Sequence, residues 1–324
     1  MAGTVEVDSW DGQGVHLSDV LDALGVLRQR AREHTSARTA VMTMVAVVGT
    51  DEQTETATAT LRSLGGNHPA RILLLRPDPD GVAALDAHVA LHSANTETHP
   101  INFEEVHLNV GGQAAKHLDS IVEPFTLADL PVAVWYVGAV PDAADPLLSV
   151  ANSVLLDSRD AEGQLRGLLE LARRRAVVDL SWIRLRPWRR LLAALFDPPE
   201  YRPWLGAVES VEVKGKIGPR QLLGGWLAAQ LDLRPRQVTL LDARHVEIVV
   251  SCRREGVEAS FEVVRGDAHR TVAAQAVVGG QTGRAHGYPL AADPLTSALA
   301  DALTRLGPDV VWERALSTAT TLLV

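Results

Sequence analysis

Two adjacent glycines, Gly111 and Gly112, separate an apolar run from an amphipathic one in "VGGQAAKHL". Glycine at a strand-to-helix turn lets backbone amides approach a phosphate, and a following helix N-terminus favours an anion. The pair is therefore a candidate anion-binding turn. The third glycine of a dinucleotide fingerprint is missing and no Lys-Ser/Thr pair follows as in a P-loop, so a plain turn is the simpler reading. His88 and His92 stand four apart in "LDAHVALHSANTETHP". On a helix they would share a face, as metal ligands must, with Asp86 or His99 as a third donor. No HExxH accompanies them, a solvated helix face explains them as well, and no metal is assigned. Nucleophilic chemistry has no carrier either: there is no G-x-S-x-G elbow and no Cys/His signature. The adjacent Glu104 and Glu105 would point to opposite faces of a strand, so they cannot act on one substrate as acid and base. No catalytic residue is assigned.

The densest chemistry is guanidinium. "ARRRAVVDLSWIRLRPWRR" holds Arg173, Arg174, Arg175, Arg184, Arg186, Arg189 and Arg190 against one acid, Asp179, with Trp182 and Trp188 interleaved. Guanidinium pairs with carboxylate and phosphate and stacks on indole. Three readings fit: a solvated helix face, a nucleic-acid contact, or a docking surface for an acidic protein or anionic ligand. The formal net charge of −9 speaks against nucleic acid and against an anionic membrane. Arg and Trp are enriched where protein interfaces concentrate their binding energy. The candidate partner-binding residues are therefore Arg184, Arg186, Trp188, Arg189 and Arg190. The indoles fall with leucines on the apolar face, which predicts that they are core and that the arginines face outward.

These groups need a frame. The chain has 324 residues, 46% of them hydrophobic, which suits two domains with sizeable cores. Apolar runs at 41–50, 69–81, 103–112, 131–137 and 153–158 alternate with helical patterns at 18–33, 52–66, 114–125 and 161–176. Short apolar strands alternating with helices imply parallel β-α units with both sheet faces covered. Residues 1–178 are expected to form an open, doubly wound, mostly parallel α/β domain, Rossmann-like but without a full nucleotide fingerprint. Residues 179–324 change rhythm. A helical stretch kinked at Pro187 precedes a strand at 207–215 and a helix at 218–233 with Pro219 in its first turn. "HVEIVVSCRR", "VEASFEVVRG" and "RTVAAQAVVGG" then read as an antiparallel meander, and two helices follow, giving a smaller α+β domain. Cys252 is the sole cysteine, so an intramolecular disulfide is impossible. No membrane-length apolar stretch occurs and the N-terminus has neither a basic nor an apolar leader region, so a cytoplasmic protein is expected.

In "LADLPVAVWYVGAVP" the residues after the apolar strand are Gly138, Ala139, Val140 and Pro141. That position often carries a reactive group in α/β enzymes, and here it carries none. Together with "NHPARILLLRPDP", "DLSWIRLRPWRRLLAALFDPP" and "GWLAAQLDL", in this order, the segment resembles the OpcA family, the glucose-6-phosphate dehydrogenase assembly proteins of actinobacteria and cyanobacteria. The Arg- and Ala-rich composition suits an actinobacterial source. The resemblance implies a non-enzymatic role: binding glucose-6-phosphate dehydrogenase, promoting its active oligomer or raising its activity, with no cofactor. Cysteine-based redox control is discussed for cyanobacterial members; an intramolecular version is excluded here. The rival expectation is a sugar-phosphate- or nucleotide-binding α/β enzyme that uses the Gly111–Gly112 turn.

Overall fold

The computed structural model describes residues 4–32, 40–65, 70–95, 100–127, 129–161, 163–266 and 270–322. The chain divides into two compact units. The first gathers residues 1–156, 174–178 and 299–307; the second gathers 157–173, 179–298 and 308–324.

The first unit contains β1 (Thr4–Gly12), α1 (Leu17–Arg32), β2 (Met42–Val47), α2 (Asp51–Leu64), β3 (Ala70–Asp78), β4 (Leu85–Asn95), β5 (Pro100–Gly111), α3 (Leu118–Val122), β6 (Val132–Tyr136), β7 (Ser153–Leu156) and most of β8 (Ala176–Asp179). The eight strands form one sheet in the order β1-β4-β5-β3-β2-β6-β7-β8. Winding starts at β2, runs through β3 to β5 on one side and through β6 to β7 on the other, with parallel pairing throughout. β4 is antiparallel to both β5 and β1. The expected open, doubly wound, mostly parallel sheet is thus present, with an antiparallel hairpin added at one edge. Its centre is buried on both faces, which is why β2, but for Thr43, and β6 read as apolar runs. α1 presents Val20, Leu24 and Leu27 inward at helical spacing. α2 is capped by Thr50, whose hydroxyl accepts from Gln53 N at 3.2 Å, with Asp51 and Glu52 in the first turn and Arg62 in the last.

Two sequence readings change here. On a helix His88 and His92 would share a face, but residues 85–95 form a strand, so their spacing belongs to a period of two. Four residues is a multiple of that period as well, so the two rings still share a face. Residues 114–125 do not make one helix. A 3-10 turn spans Gly112–Lys116, His117 breaks the run at φ −129°, ψ 48°, and α3 lasts five residues before a second 3-10 turn that includes Pro124.

The second unit contains α4 (Leu165–Ala172), α5 (Leu180–Arg184), α6 (Arg186–Leu195), β9 (Val208–Gly215), α7 (Ile217–Leu231), β10 (Val238–Asp242), β11 (Glu247–Arg254), β12 (Val257–Arg265), β13 (Thr271–Val278), β14 (Gln281–Thr282), β15 (His286–Pro289), α8 (Pro294–Leu303) and α9 (Val310–Leu322), α8 being shared with the first unit. The expected meander is β11-β12-β13. β9 extends it antiparallel to β11, and β10 adds a parallel edge strand through the α7 crossover. One sheet face buries Val211, Val213, Ile248, Val250, Phe261 and Val263; α6 packs on β12 and β13, α7 on β9 and β10. Phe261 meets Phe196 at 4.2 Å and Tyr201 at 5.6 Å between ring centroids. α7 lies close to its neighbours through glycine: a Cβ on Gly218 would stand 1.8 Å from Ser158 O, and one on Gly225 2.1 Å from Ala315 O.

Candidate functional site

The Arg/Trp block folds as two helices, α5 and α6, joined at Leu185. Pro187 sits in the first turn of α6, where its missing N–H costs nothing. Trp182, Leu185, Trp188, Leu191, Leu192 and Leu195 are all buried, as their spacing predicts. Both indoles also place their one polar atom. Trp182 Nε1 donates to Asp309 Oδ2 at 2.9 Å and Trp188 Nε1 to Val246 O at 3.1 Å.

The arginines of the block divide. Arg184 pairs with Asp157, its NH2 group 2.5 and 2.6 Å from the two carboxylate oxygens. Arg189 lies with its guanidinium carbon 3.5 Å from the Trp182 ring centroid and donates to Trp182 O at 3.1 Å. Burial, with Arg186 and Arg190 nearby and Asp309 opposing, pulls its pKa down to about 10. Its Nε finds no acceptor among the described residues. Arg186 is half-buried and Arg190 is exposed. The outward orientation expected of the whole set therefore holds for Arg190 and fails for Arg189, whose charge is held flat against an indole.

Beneath the block, Asp179 closes β8, caps α5 and is fully enclosed. It accepts from Ser181 N at 2.9 Å, Ser158 N at 3.1 Å, Ser158 Oγ at 2.6 Å and Trp312 Nε1 at 3.1 Å. Burial pushes its carboxyl up from the usual range, against the pull of these donors. Asp309 does parallel work at α9. Its Oδ1 accepts from Val311 N and Trp312 N, both at 3.0 Å, while Oδ2 holds Trp182. Sequence reading named Asp179 only as the one acid among the arginines and passed over Asp309. The signal available was Asp309 placed immediately before an apolar helical run, a helix-start pattern.

The Gly111–Gly112 turn serves packing. Gly111 N donates to Ala84 O at 2.8 Å, and a Cβ there would stand 2.0 Å from Val82 O. Gly112 has φ +66°. The glycines admit the 82–84 segment, and the Gly111 amide is committed to it. In open α/β sheets ligands settle where the winding reverses, outside the carboxyl ends of the strands. Here that point lies between β2 and β6. Gln53 lies across it: its Oε1 accepts from Gly49 N at 2.7 Å, and a Cβ on Gly138 (φ +70°) would stand 2.6 Å from its Nε2. The adjacent α2 N-terminus is acidic, which opposes an anion.

Among the described residues the buried carboxylates of the first unit lie in β5. Glu104 and Glu105 do face opposite sides. Glu104 accepts from Arg28 Nε and NH2 and from Arg71 Nε, each at 2.7 Å. Glu105 accepts from Arg62 Nε and NH2 at 2.8 and 2.6 Å, lies 2.7 Å from His107 Nε2, and has His92 Nε2 at 3.3 Å. Burial opposes ionisation of Glu105, yet His107, His92 and Arg62 together hold its carboxyl far below the usual carboxylate range. His88 binds Asp11 at 2.8 Å and meets His107 edge-on. His88 and His92 thus serve different carboxylates. Asp86 accepts from Gly14 N at 2.9 Å, and His99 lies outside the described residues. Among the described residues no three His, Cys, Asp or Glu side chains are grouped to hold a metal ion. No helix among them is long and apolar enough to cross a membrane.

Comparison with known proteins adds what geometry does not. Residues 62–173 match the family model described as the glucose-6-phosphate dehydrogenase subunit N-terminal domain, and residues 175–316 match that of the C-terminal domain of the same subunit. Two curated relatives are provisionally described as the OxPP cycle protein OpcA. The Synechocystis sp. protein is 29% identical over 187 residues, covering 53% of this chain and 39% of the relative. The Synechococcus elongatus protein is 28% identical over 182 residues, covering 52% of this chain and 41% of the relative. The match thus spans about two fifths of the length of each relative.

Proposed function

We propose that this chain, which belongs to the OpcA family, is a non-enzymatic partner of glucose-6-phosphate dehydrogenase that favours the dehydrogenase's active oligomer and so raises flux into the oxidative pentose phosphate pathway in the cytoplasm. The observation that carries this reading is the pair of family models, consecutive and in order over residues 62–316, each named for a subunit of that dehydrogenase. The interior supports it. At the winding reversal Gln53 binds Gly49 N, the Gly111 amide is used by Ala84, and the buried carboxylates Glu104, Glu105 and Asp179 are each committed to several partners of this chain's own.

An activator shifts an equilibrium only by its differential affinity for the two states. A tenfold shift takes about 1.4 kcal/mol. One or two well-seated contacts suffice. In this reading Arg190 and Arg186 touch the dehydrogenase, while Trp188, Arg184 and Arg189 hold α6 in place beneath them.

The test is a titration of purified dehydrogenase from the same organism with this protein, following NADPH formation and, in parallel, mass by light scattering. A saturable rise in rate with a larger co-eluting complex is the expected result. No change in rate or mass, with both proteins folded, overturns the proposal. A thermal-shift screen of nucleotides and sugar phosphates would then test the enzyme alternative at Gly111–Gly112.

A further inference from the structure

The arginines between residues 184 and 190 are not balanced alike. Arg184 is spent on Asp157. Arg189 is held by neutral groups instead. Its guanidinium carbon lies 3.5 Å from the Trp182 ring centroid, one NH2 group donates to Trp182 O at 3.1 Å, and Nε is enclosed without an acceptor among the described residues. The carboxylate that favours its charge is Asp309, acting through space. Both oxygens of Asp309 are already bound, Oδ1 to Val311 N and Trp312 N and Oδ2 to Trp182 Nε1. Arg189 is thus a half-buried cation, fixed in orientation and short of negative charge.

Its neighbours deepen the imbalance. Arg186 stands three residues before Arg189 and four before Arg190, so the three share one side of α6. Burial is the larger force against the Arg189 charge, and Arg186 and Arg190 add to it as like charges. Arg190 is exposed, and its guanidinium makes no hydrogen bond or ion pair among the described residues. The helix carries no capping side chain and no acid in its first turn. Like charges gathered this closely are relieved by an anion placed among them. One carboxylate would balance one guanidinium. A phosphate carries a charge of about −2 and offers oxygens in several directions, which suits forked donors that diverge from one helix.

We infer that the start of α6 binds a small phosphate dianion between Arg189 and Arg190, with the Trp182 ring holding the Arg189 fork in place. The inference does not rest on the function proposed above, because a small anion needs no partner protein. The two readings share Arg190.

The experiment titrates inorganic phosphate into the full chain at about pH 8, where phosphate is a dianion, with NaCl holding ionic strength constant. Calorimetry reads the affinity and thermal melts read the stabilisation. The natural chain should bind saturably and its melting temperature should rise with occupancy. Arg190→Gln, at an exposed position that leaves the fold intact, should weaken binding about tenfold, the loss of one charge-assisted contact. Arg189→Lys keeps the charge but loses the fork, so it should weaken binding by a smaller factor. Arg236→Gln, at an exposed arginine elsewhere in the second unit, should bind within about twofold of the natural chain. Methyl phosphate, run alongside, separates a site open to monoesters, which then binds it as tightly, from one that takes the free ion. No saturable binding by the natural chain overturns the inference. So does equal binding by the natural chain and Arg190→Gln, which would mark a general ionic effect. Neither result touches the dehydrogenase titration, which stands or falls by itself.

Discussion

Glu105 and Asp179 are both buried carboxylates with several hydrogen-bond partners, one in each unit, and their environments drive them in opposite directions. Glu105 is ringed by groups that carry or can take positive charge: Arg62, His107 and His92. Asp179 is ringed by neutral donors: two backbone amides, one hydroxyl and one indole. Burial opposes the charge in both. Only at Glu105 do the partners win, so its carboxyl stays ionised to low pH while that of Asp179 is easier to protonate than in water. Hydrogen bonds alone satisfy a buried acid's geometry; compensating charge is what keeps it ionised.

Breaking Glu105 should have the largest effect. Glu105→Ala leaves Arg62, His107 and the buried His92 without their carboxylate, and removing one partner of a buried pair costs about 3–5 kcal/mol, measurable by denaturant unfolding at pH 7. Glu105 also sets the sign of the acid response. Its folded pKa is depressed, so its contribution is full above the unfolded carboxylate value and is lost as pH falls below it. Unfolding midpoints of the natural chain should therefore drop below about pH 4.5, and Glu105→Gln should flatten that slope.

Next in size is Gly218→Ala, where the new Cβ would stand 1.8 Å from Ser158 O, the residue that serves Asp179. Shifting backbone against backbone should cost about 2–3 kcal/mol by denaturant unfolding. Asp179→Asn comes third. Oδ1 can keep the two amides, but the new NH2 then faces the Trp312 indole donor, at a cost of about 1–3 kcal/mol at pH 7. Its pH signature should be the reverse of the Glu105 one. A raised folded pKa means that protonation favours the folded state, so the natural chain should gain stability over Asp179→Asn as pH falls from 7 toward 4. Equal slopes for the two proteins would break the comparison. The smallest effect is chemical. Burial raises the Cys252 thiol to about 11, so a maleimide should label it slowly at pH 7.5 until the protein is unfolded.

The site shows the same division between local and distant causes. The spacing of Trp182, Leu185, Trp188 and Leu191 identified a buried helix face, because a 3.6-residue period survives in any one stretch of sequence. It pointed Arg189 outward and missed its stacking on Trp182, since whether a guanidinium faces water or an indole depends on the rotamer and on what lies opposite. Asp309 was beyond reach as well: it meets Trp182 across 127 positions. The helix supposed for His88 and His92 is a strand for a related reason. "LDAHVALHSAN" fits two periods, and only pairing with β1 and β5 selects the strand.

By itself the sequence determined the alternation of elements that makes a doubly wound sheet, the meander of the second half, the inward face of α6 and the excess of guanidinium on it. Each of these is written in neighbouring residues, through apolar period, turn chemistry and composition. Only the tertiary structure decided that residues 157–173 join the second unit, that Glu104 and Glu105 are neutralised from opposite sides of the sheet, and that Asp309 holds the Trp182 indole. Those outcomes depend on groups brought together from far along the chain. Their attraction exists only once the chain has folded, so no local pattern records it.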